Sequence, residues 1–271
     1  MKILTTLFIL TFFHCSIVAE APEKIVKEID DLISEVPAST KMAIMIYNPL
    51  TQDTIFSINH LESMIPASNT KLFTTAVALE ILGGDYKLFT KFLADDNNLS
   101  DSTINGNIYI KGFGNPTFTT EDLEELINQL YLSGLRKVTG NVVGDDTYFD
   151  DVYSRDDWIS EERANVKLPP ISALVIDRNR TIITKKRKGR YRNYFVSVEN
   201  PPLFAAKKLK EKLISFGIEV EGKSISGQTA SNAKVLAESS IELRELLKII
   251  NKNSDNFYAE CLFKTLVSVY S

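Results

Sequence analysis

The chain has 271 residues, of which 44% are hydrophobic and 24% charged, and its formal net charge is −4. This is the composition of a globular protein with one large or two average domains, and it excludes disordered and fibrous chains. The small acidic excess provides no basic field for nucleic acid, and two Cys with two His leave little material for a disulfide framework or a zinc site. We therefore expect no nucleic-acid partner, no metal and no cofactor.

The N-terminus has the pattern of a secretory signal peptide. Lys2 is followed by 17 mostly apolar residues, Ile3 to Ala19, which end on a small side chain. This stretch is shorter than the about 20 residues that span a bilayer, which disfavours the alternative of an uncleaved anchor. We expect residues 1–19 to be removed, with no stable membrane insertion and a secreted product in the periplasm or cell envelope.

The mature part begins with a helix, a hairpin and a second helix. Apolar residues at helical spacing predict an amphipathic helix over 22–36. The segments 42–47 and 54–58 predict two strands joined by a polar turn that contains a proline. The segment 72–82 is apolar on nearly every side and ends at two glycines, so we expect a helix buried all round.

From about residue 85 to 229 the pattern changes to short strands separated by turns. This change predicts a separate α+β module. The clearest predicted elements of this module are strands over 107–111, 138–143, 181–184 and 194–198, and helices over 120–133 and 202–216. The final stretch, 241–271, is helical again, with a polar break predicted at 251–253.

Few side chains are suited to act as a catalytic base. A Ser-His-Asp triad would need His60, which lies in a polar loop near Ser68. Cys261 lies on an apolar helical face, where a buried and inert thiol is expected. The segment Gly112–Gly114 by itself is too weak a pattern for a nucleotide site. A hydrolase with a covalent nucleophile would therefore use a lysine as its base.

Ser68 and Lys71 stand three residues apart where the apolar segment begins. Residues at this spacing share a helix face, so the hydroxyl and the amine can meet. An apolar surround and a helix N-terminus both disfavour the ammonium form, which would let Lys71 take a proton from Ser68. The alternative is a capping Ser68 and a solvated Lys71, although a first-turn cation opposes the helix dipole at a cost of ~0.3–1 kcal/mol. A second Ser-x-x-Lys match, at Ser231 and Lys234, lies in a polar loop before a strand.

The second constellation is Ser254-Asp255-Asn256, at the start of the last helix. A hydroxyl and an amide two residues apart on a turn can relay a proton and hold a substrate amide. The alternative is a simple helix cap, because all three residue types favour that position.

The order Ser-x-x-Lys followed by Ser-Asp-Asn resembles that of penicillin-recognising serine peptidases and β-lactamases. More specifically, the chain resembles the D-alanyl-D-alanine carboxypeptidase/endopeptidase family called penicillin-binding protein 4. The segments that carry this resemblance are 64–76, 111–117 (with Asn115 in place of the usual Asp), 140–147, 171–179 and 243–256.

The resemblance implies an α/β fold with a β-lactamase/transpeptidase-like domain over 20–84 and 237–271, interrupted by an inserted α+β domain over 85–236. It implies hydrolysis of peptidoglycan stem peptides through an acyl-enzyme, with β-lactams as acylating inhibitors. The implied roles are nucleophile for Ser68, base for Lys71, proton relay for Ser254, substrate orientation for Asn256 and contact with the free amino end of the stem peptide for Asp146. A surface Asp in a turn is the alternative for Asp146.

One departure from the family pattern is large. The sequence contains no Lys-Thr-Gly or His-Thr-Gly, and the segment Lys264–Leu266 lacks the glycine. We expect the transpeptidase-like domain to be incomplete at the C-terminus and the chain to be inactive or nearly so, because half of the oxyanion hole is missing. The alternatives are a non-catalytic wall-binding or scaffolding protein, and a β-lactamase or esterase relative. The basic run 185–192 predicts a solvated hairpin tip, with binding of anionic wall polymers as the alternative.

Overall fold

The computed structural model describes residues 21–95, 102–154, 168–187 and 189–270, and the chain divides into two compact units, residues 1–66 and 67–271. The predicted signal peptide, residues 1–19, lies outside the described residues. Mixed helices and sheets build the second unit, as expected for the α/β class.

The first unit consists of one helix and one hairpin. Helix α1 (Ala21–Ser34) is amphipathic, and strands β1 (Ile44–Asn48) and β2 (Asp53–Ile58) pair antiparallel with a bulge after Ile46. Asn59, at the end of the hairpin, donates its amide to the carbonyl oxygen of Met42 at 3.1 Å, which ties the two strand ends together. These elements confirm the predicted helix and hairpin to within two residues.

A five-stranded mixed sheet and a three-stranded parallel sheet organise the second unit. Their strands are β3 (Lys87–Ala94), β4 (Thr103–Ile104), β5 (Ile108–Phe113), β6 (Lys137–Val138), β7 (Val142–Asp145), β10 (Glu219–Val220), β11 (Ser224–Ser226) and β12 (Lys234–Glu242). The strand order is β11-β7-β5-β3-β12 in the five-stranded sheet and β10-β6-β4 in the three-stranded one.

Two helices cover the five-stranded sheet and form the larger core. Helix α3 (Thr120–Leu132) begins with a capping box between Thr119 and Asp122, and helix α4 (Pro201–Ser215) begins with an Asn200 cap followed by two prolines. The core contains fully buried side chains from both helices, from the sheet and from the loop before residue 177, among them Phe92, Ile110, Ile127, Leu174 and Leu209. Both helices were predicted from periodicity and are confirmed.

The predicted single strand over 138–143 is wrong. The chain bends at Gly140, whose α-carbon lies so close to the backbone of Gly106 that an added Cβ would stand 2.4 Å from it. Because of this bend, β6 joins the three-stranded sheet and β7 joins the five-stranded one. The apolar segment is continuous in sequence but contributes one strand to each of two sheets.

Helix α2 (Thr70–Leu82) and the last two helices of the chain form a second core. Helices α5 (Leu243–Asn253) and α6 (Asn256–Tyr270) pack against α2 through a cluster of buried side chains that includes Ala78, Leu246 and Leu262. The break between the last two helices lies at residues 254–255, whereas the sequence predicted it at 251–253.

The expectation that α2 is buried on every side is wrong. Only Thr75 and Ala78 of this helix are buried, and Phe73 is 71% exposed. Within the second unit, α5 and α6 pack on one side of the helix, and the apolar residues on its other sides stay exposed. A uniformly apolar segment predicted a helix packed on all sides, but among the described elements α5 and α6 bury only one face of α2.

Strand β3 follows α2 in the chain, strand β12 precedes α5, and the two strands pair antiparallel. This pairing brings the two ends of the predicted inserted domain, 85–236, together. The domain boundaries themselves stay a prediction.

The basic run lies on a two-stranded ribbon formed by β8 (Arg180–Arg187) and β9 (Arg190–Ser197). Its described cations are exposed, which confirms the predicted exposed hairpin, and Gly189 makes the turn with a φ of 75°. Lys188 lies outside the described residues. The strands are longer than the predicted 181–184 and 194–198, because their polar ends continue the antiparallel ladder.

Candidate active site

Ser68 and Lys71 meet at the start of α2. Residues Ala67–Asn69 form a 3₁₀ turn, and α2 begins at Thr70, whose hydroxyl donates to the carbonyl oxygen of Ala67 at 2.9 Å. Lys71 Nζ donates to Ser68 Oγ at 3.1 Å. Ser68 is exposed and Lys71 is half-buried, so the hydroxyl is open to a ligand.

The residue before the serine has a strained backbone. Ala67 has a φ of 44°, in the left-handed region, which costs a residue with a Cβ roughly 1–2 kcal/mol. Backbone strain of this kind persists where the surrounding structure fixes it, and it is frequent beside reactive groups. The Asn69 side chain makes no capping hydrogen bond, so the turn is not a simple helix cap.

Ser254, Asp255 and Asn256 form the connection between α5 and α6. Ser254 ends α5 in a left-handed conformation (φ 52°, ψ 42°), and its side chain is exposed. Asp255 caps α6 by accepting from the backbone N–H of Tyr258 at 3.0 Å. Asn256 is the first residue of α6 and is half-buried. The capping function therefore belongs to Asp255, and the side chains on either side of it make no hydrogen bond with a described residue.

Two contacts fix how α2 and α5 lie against each other. The backbone N–H of Arg244, at the start of α5, donates to the carbonyl oxygen of Gly84, just after α2. The hydroxyl of Thr75, midway along α2, lies 3.4 Å from the amide of Asn251, near the end of α5. The helices are therefore antiparallel, with the start of α2 beside the end of α5.

This arrangement brings the two sequence motifs to the same end of the helix pair. Lys71 lies four residues before Thr75 and Ser254 lies three residues after Asn251, which corresponds to about 6 Å and about 4.5 Å of helix rise in the same direction. Among the described residues, no hydrogen bond joins Ser68 or Lys71 to Ser254 or Asn256.

The connection at Ser254–Asn256 is held by a residue that the sequence analysis did not single out. Arg178 forms a two-pronged ion pair with Asp255 at 2.7 and 3.0 Å, and its guanidinium lies over the ring of Tyr258 at 4.5 Å. Burial alone would raise the pKa of Asp255, but the Arg178 fork and backbone N–H groups outweigh it and hold that pKa below its usual value of 3.8.

Arg178 is presented by a left-handed turn. Asp177, Arg178 and Asn179 all have φ between 50° and 58°. Asp177 accepts from the backbone and hydroxyl of Thr120 and from Lys208, and Asn179 donates to a carbonyl oxygen nine residues earlier. Side-chain hydrogen bonds to three partners thus stabilise this turn, whose left-handed backbone conformation is unfavourable by itself. The only sequence signal was that 171–179 resembles a family segment, which does not reveal the partner 77 residues away.

Asp146 lies in the turn after β7. Its Oδ2 accepts from Tyr153 Oη and from Ser172 Oγ, each at 2.8 Å, while its Oδ1 makes no hydrogen bond with a described residue. Burial, together with the neighbouring Asp146, raises the pKa of Tyr153, so this phenol stays a proton donor. Asp145, by contrast, is fully buried and pairs with Lys111 at 3.0 Å.

Asn115 shows why its departure from the family pattern is tolerated locally. Its Oδ1 accepts from the backbone N–H of Thr117 at 3.1 Å and from the Thr117 hydroxyl at 2.9 Å. An amide oxygen accepts such bonds as a carboxylate does, so the turn is closed with either residue.

The competing sites from the sequence lack catalytic geometry. Cys261 is fully buried in α6, as predicted, and burial raises the pKa of its thiol. Ser231 lies in an exposed turn and Lys234 begins β12, with no hydrogen bond between their side chains in the described part of the chain. Residues 21–95, 102–154, 168–187 and 189–270 contain no cluster of three His, Cys, Asp or Glu that could hold a metal. The same residues contain no helix long and apolar enough to cross a membrane.

Comparison with known proteins identifies the family. The chain belongs to the D-Ala-D-Ala carboxypeptidase 3 (S13) family, whose model matches residues 25–191 and 186–270. The predicted resemblance is thereby confirmed.

Individual relatives agree with this family. A D-alanyl-D-alanine carboxypeptidase from Actinomadura sp. (strain R39) is 34% identical over 148 residues, which cover 54% of this chain and 27% of the relative. The D-alanyl-D-alanine carboxypeptidase DacB of Haemophilus influenzae is 24% identical over 89% of this chain and 62% of the relative. The crystal structure of penicillin-binding protein 4 (dacB) from the same organism has a TM-score of 0.72 and 22% identity, covering 89% of this chain and 66% of that one. The chain thus has the fold of this protein and spans less than two thirds of the length of the curated relatives.

Proposed function

We propose that this chain carries the nucleophile end of a serine D-Ala-D-Ala carboxypeptidase/endopeptidase site that acts on peptidoglycan stem peptides. The observation that carries the proposal is the 3.1 Å contact between Lys71 Nζ and Ser68 Oγ, on an exposed turn beside a strained Ala67. Membership of the S13 family supports the reaction class. The pattern at residues 1–19 supports secretion into the periplasm or cell envelope.

The proposed reaction begins with a proton transfer. Lys71, as the base, takes the proton of Ser68 Oγ while this oxygen bonds to the carbonyl carbon of the penultimate D-alanine. The C–N bond to the terminal residue breaks, and the leaving amine receives a proton through the hydroxyl of Ser254. Water then hydrolyses the acyl-enzyme ester and restores the Ser68 hydroxyl. Asn256 orients the substrate amide, and the backbone N–H groups of the Ser68 turn face the oxyanion.

Covalent labelling by a β-lactam tests the nucleophile. We expect a fluorescent penicillin to form an adduct that survives denaturation and that maps to Ser68 by peptide mass spectrometry. Ser68→Ala should abolish the adduct, and Lys71→Ala should slow its formation by at least about 100-fold, the usual contribution of a general base.

The second Ser-x-x-Lys match supplies a matched control. Ser231→Ala and Lys234→Ala remove the same residue types at the same spacing and should leave the labelling rate unchanged. An adduct that persists in Ser68→Ala, or no adduct after prolonged incubation of the unmodified chain, would contradict the proposal. Because the 271 residues contain no Lys-Thr-Gly or His-Thr-Gly, we expect release of D-alanine from a stem peptide to be slow or absent.

Asp146 is proposed to bind the free amino group of the stem peptide. Support comes from its carboxylate, in which Tyr153 and Ser172 hold one oxygen and leave the other without a described partner. A stem peptide with a free amino group should protect Ser68 from penicillin better than its N-acetylated form. Asp146→Asn keeps an acceptor for both hydroxyls and should remove this difference, whereas the exposed Asp151→Asn should preserve it. Equal protection by both peptides in the unmodified chain would refute this role.

A further inference from the structure

The ribbon β8–β9 carries four cations on one face of its tip. The register places Lys185 opposite Arg192 and Arg187 opposite Arg190. Directly opposite residues, and residues two apart on one strand, point to the same face of a sheet. These four exposed side chains therefore share one face, about 5 Å apart across the ribbon and about 7 Å apart along it.

The charges on this face have no counter-charge in the ribbon. Residues 180–198 contain no Asp or Glu, although the whole chain has a net charge of −4. Within the described part of the chain, none of the four cations forms an ion pair. Like charges directly opposite each other destabilise an antiparallel pair, so an exposed hairpin without a ligand would be more stable with one acidic residue at each pair.

The ribbon is also placed to receive a ligand. Among the described residues, strands β8 and β9 pair only with each other, which leaves both edges of the ribbon free. The described side chains at the tip, residues 185–187 and 190–192, are exposed on both faces. On the opposite face, Lys186 Nζ lies 5.7 Å from the ring centre of Tyr191, and this cation is separate from the four. The four cations belong to neither the Ser68 turn nor the α5–α6 connection, so the proposed peptidase reaction does not use them.

We propose that Lys185, Arg187, Arg190 and Arg192 bind neighbouring phosphate groups of a linear phosphodiester polymer. Three of the four are arginines, whose planar fork forms two parallel hydrogen bonds with one phosphate. Phosphates that follow one another along a polymer meet the two cross-strand pairs in turn. The bound anions also remove the repulsion within each pair, so the arrangement that destabilises the free ribbon favours the complex.

The salt dependence of binding measures the number of phosphates contacted. The probe is a fluorescently labelled poly(glycerol phosphate), titrated with the full chain by anisotropy at several salt concentrations. Each phosphate that is neutralised on a flexible single strand contributes about −0.7 to the slope of log K against log salt, so four contacts give about −3. The dissociation constant should therefore rise about 50-fold between 50 and 200 mM salt.

Two variants separate binding from folding. Lys185→Ala with Arg192→Ala removes one cross-strand pair, which should weaken binding about tenfold at 50 mM salt and halve the slope. Arg192→Glu converts a repulsive pair into an attractive one, so it should weaken binding at least as much while the melting temperature stays the same or rises. The matched control, Lys27→Ala with Lys207→Ala, removes two exposed cations elsewhere and should change neither quantity.

The assignment to phosphate is tested against other anions. Polyglutamate of equal length and charge should bind at least tenfold more weakly than the phosphate polymer, and vesicles with anionic lipid should not compete with it. A slope near zero, an equal loss in the control variant, equal affinity for polyglutamate, or binding to vesicles without binding to the polymer would each overturn the proposal.

Discussion

The ion pair between Arg178 and Asp255 is expected to stabilise the fold and to fix the Ser254–Asn256 connection. The Asp255 side chain is 16% exposed and that of Arg178 is 34% exposed, so the pair is largely removed from water. Loss of one partner of a buried pair costs about 3–5 kcal/mol, and partial exposure of the arginine reduces this by solvent screening. We expect Arg178→Ala to lower the free energy of unfolding by about 2 kcal/mol.

The assay is urea unfolding followed by far-UV circular dichroism, together with thermal melting. For a unit of this size, about 2 kcal/mol corresponds to a fall of roughly 4–8 °C in the melting temperature. Arg180→Ala is the control, because this neighbouring side chain forms no ion pair within the described residues, and it should cost less than about 0.5 kcal/mol.

The effect should depend on pH with a defined sign. The folded state holds the pKa of Asp255 below its unfolded value, so the stabilisation is complete above about pH 5 and is lost as the pH falls below about 4. The difference between the unmodified chain and Arg178→Ala should shrink over that lower range. Asp255→Asn should cost less in the Arg178→Ala background than alone.

A loss of stability no larger than that of Arg180→Ala, or additive effects of Arg178→Ala and Asp255→Asn, would refute a stabilising ion pair at this position. The pair is also expected to matter at the candidate active site, because Asp255 stands between Ser254 and Asn256. Arg178→Lys keeps the charge but loses the two-pronged hydrogen bonding. It should slow penicillin labelling of Ser68 by a larger free-energy difference than the one by which it lowers the free energy of unfolding.

Two further predictions concern close packing and the buried thiol. Gly144→Ala would place a Cβ 1.9 Å from the carbonyl oxygen of Pro202, so it should lower the free energy of unfolding in urea by about 3 kcal/mol or more. The control, Gly189→Ala, meets nothing within 4 Å and should cost about 1–2 kcal/mol because of its left-handed φ. Equal losses would contradict the packing described for β7 and α4. Cys261 should resist maleimide at neutral pH until urea unfolds the chain, since burial raises the pKa of its thiol, and fast labelling of the folded chain would disprove this burial.

The local part of the fold could be predicted because it depends on short-range spacing. The period of apolar residues predicted α1, α3 and α4 within a residue or two, and the three-residue spacing predicted that Ser68 and Lys71 meet. These contacts follow from helix geometry alone, whatever the rest of the chain does.

Burial and strand identity could not be predicted in this way. The apolar pattern of α2 was interpreted as complete burial, but exposure depends on which elements pack against a helix, and α5 and α6 lie on one side of it. The run 138–143 was interpreted as one strand, but the close approach of Gly140 to Gly106 divides it between two sheets.

The amino-acid sequence by itself determined the helices, the exposed basic hairpin and the pairing of Ser68 with Lys71, because each depends on neighbours within a few residues. Only the tertiary structure decided that α2 and α5 run antiparallel, so that the two motifs share one end, and that Arg178 holds Asp255 across 77 residues of chain. Such contacts arise from the path of the backbone, and periodicity carries no information about which distant residues that path brings together.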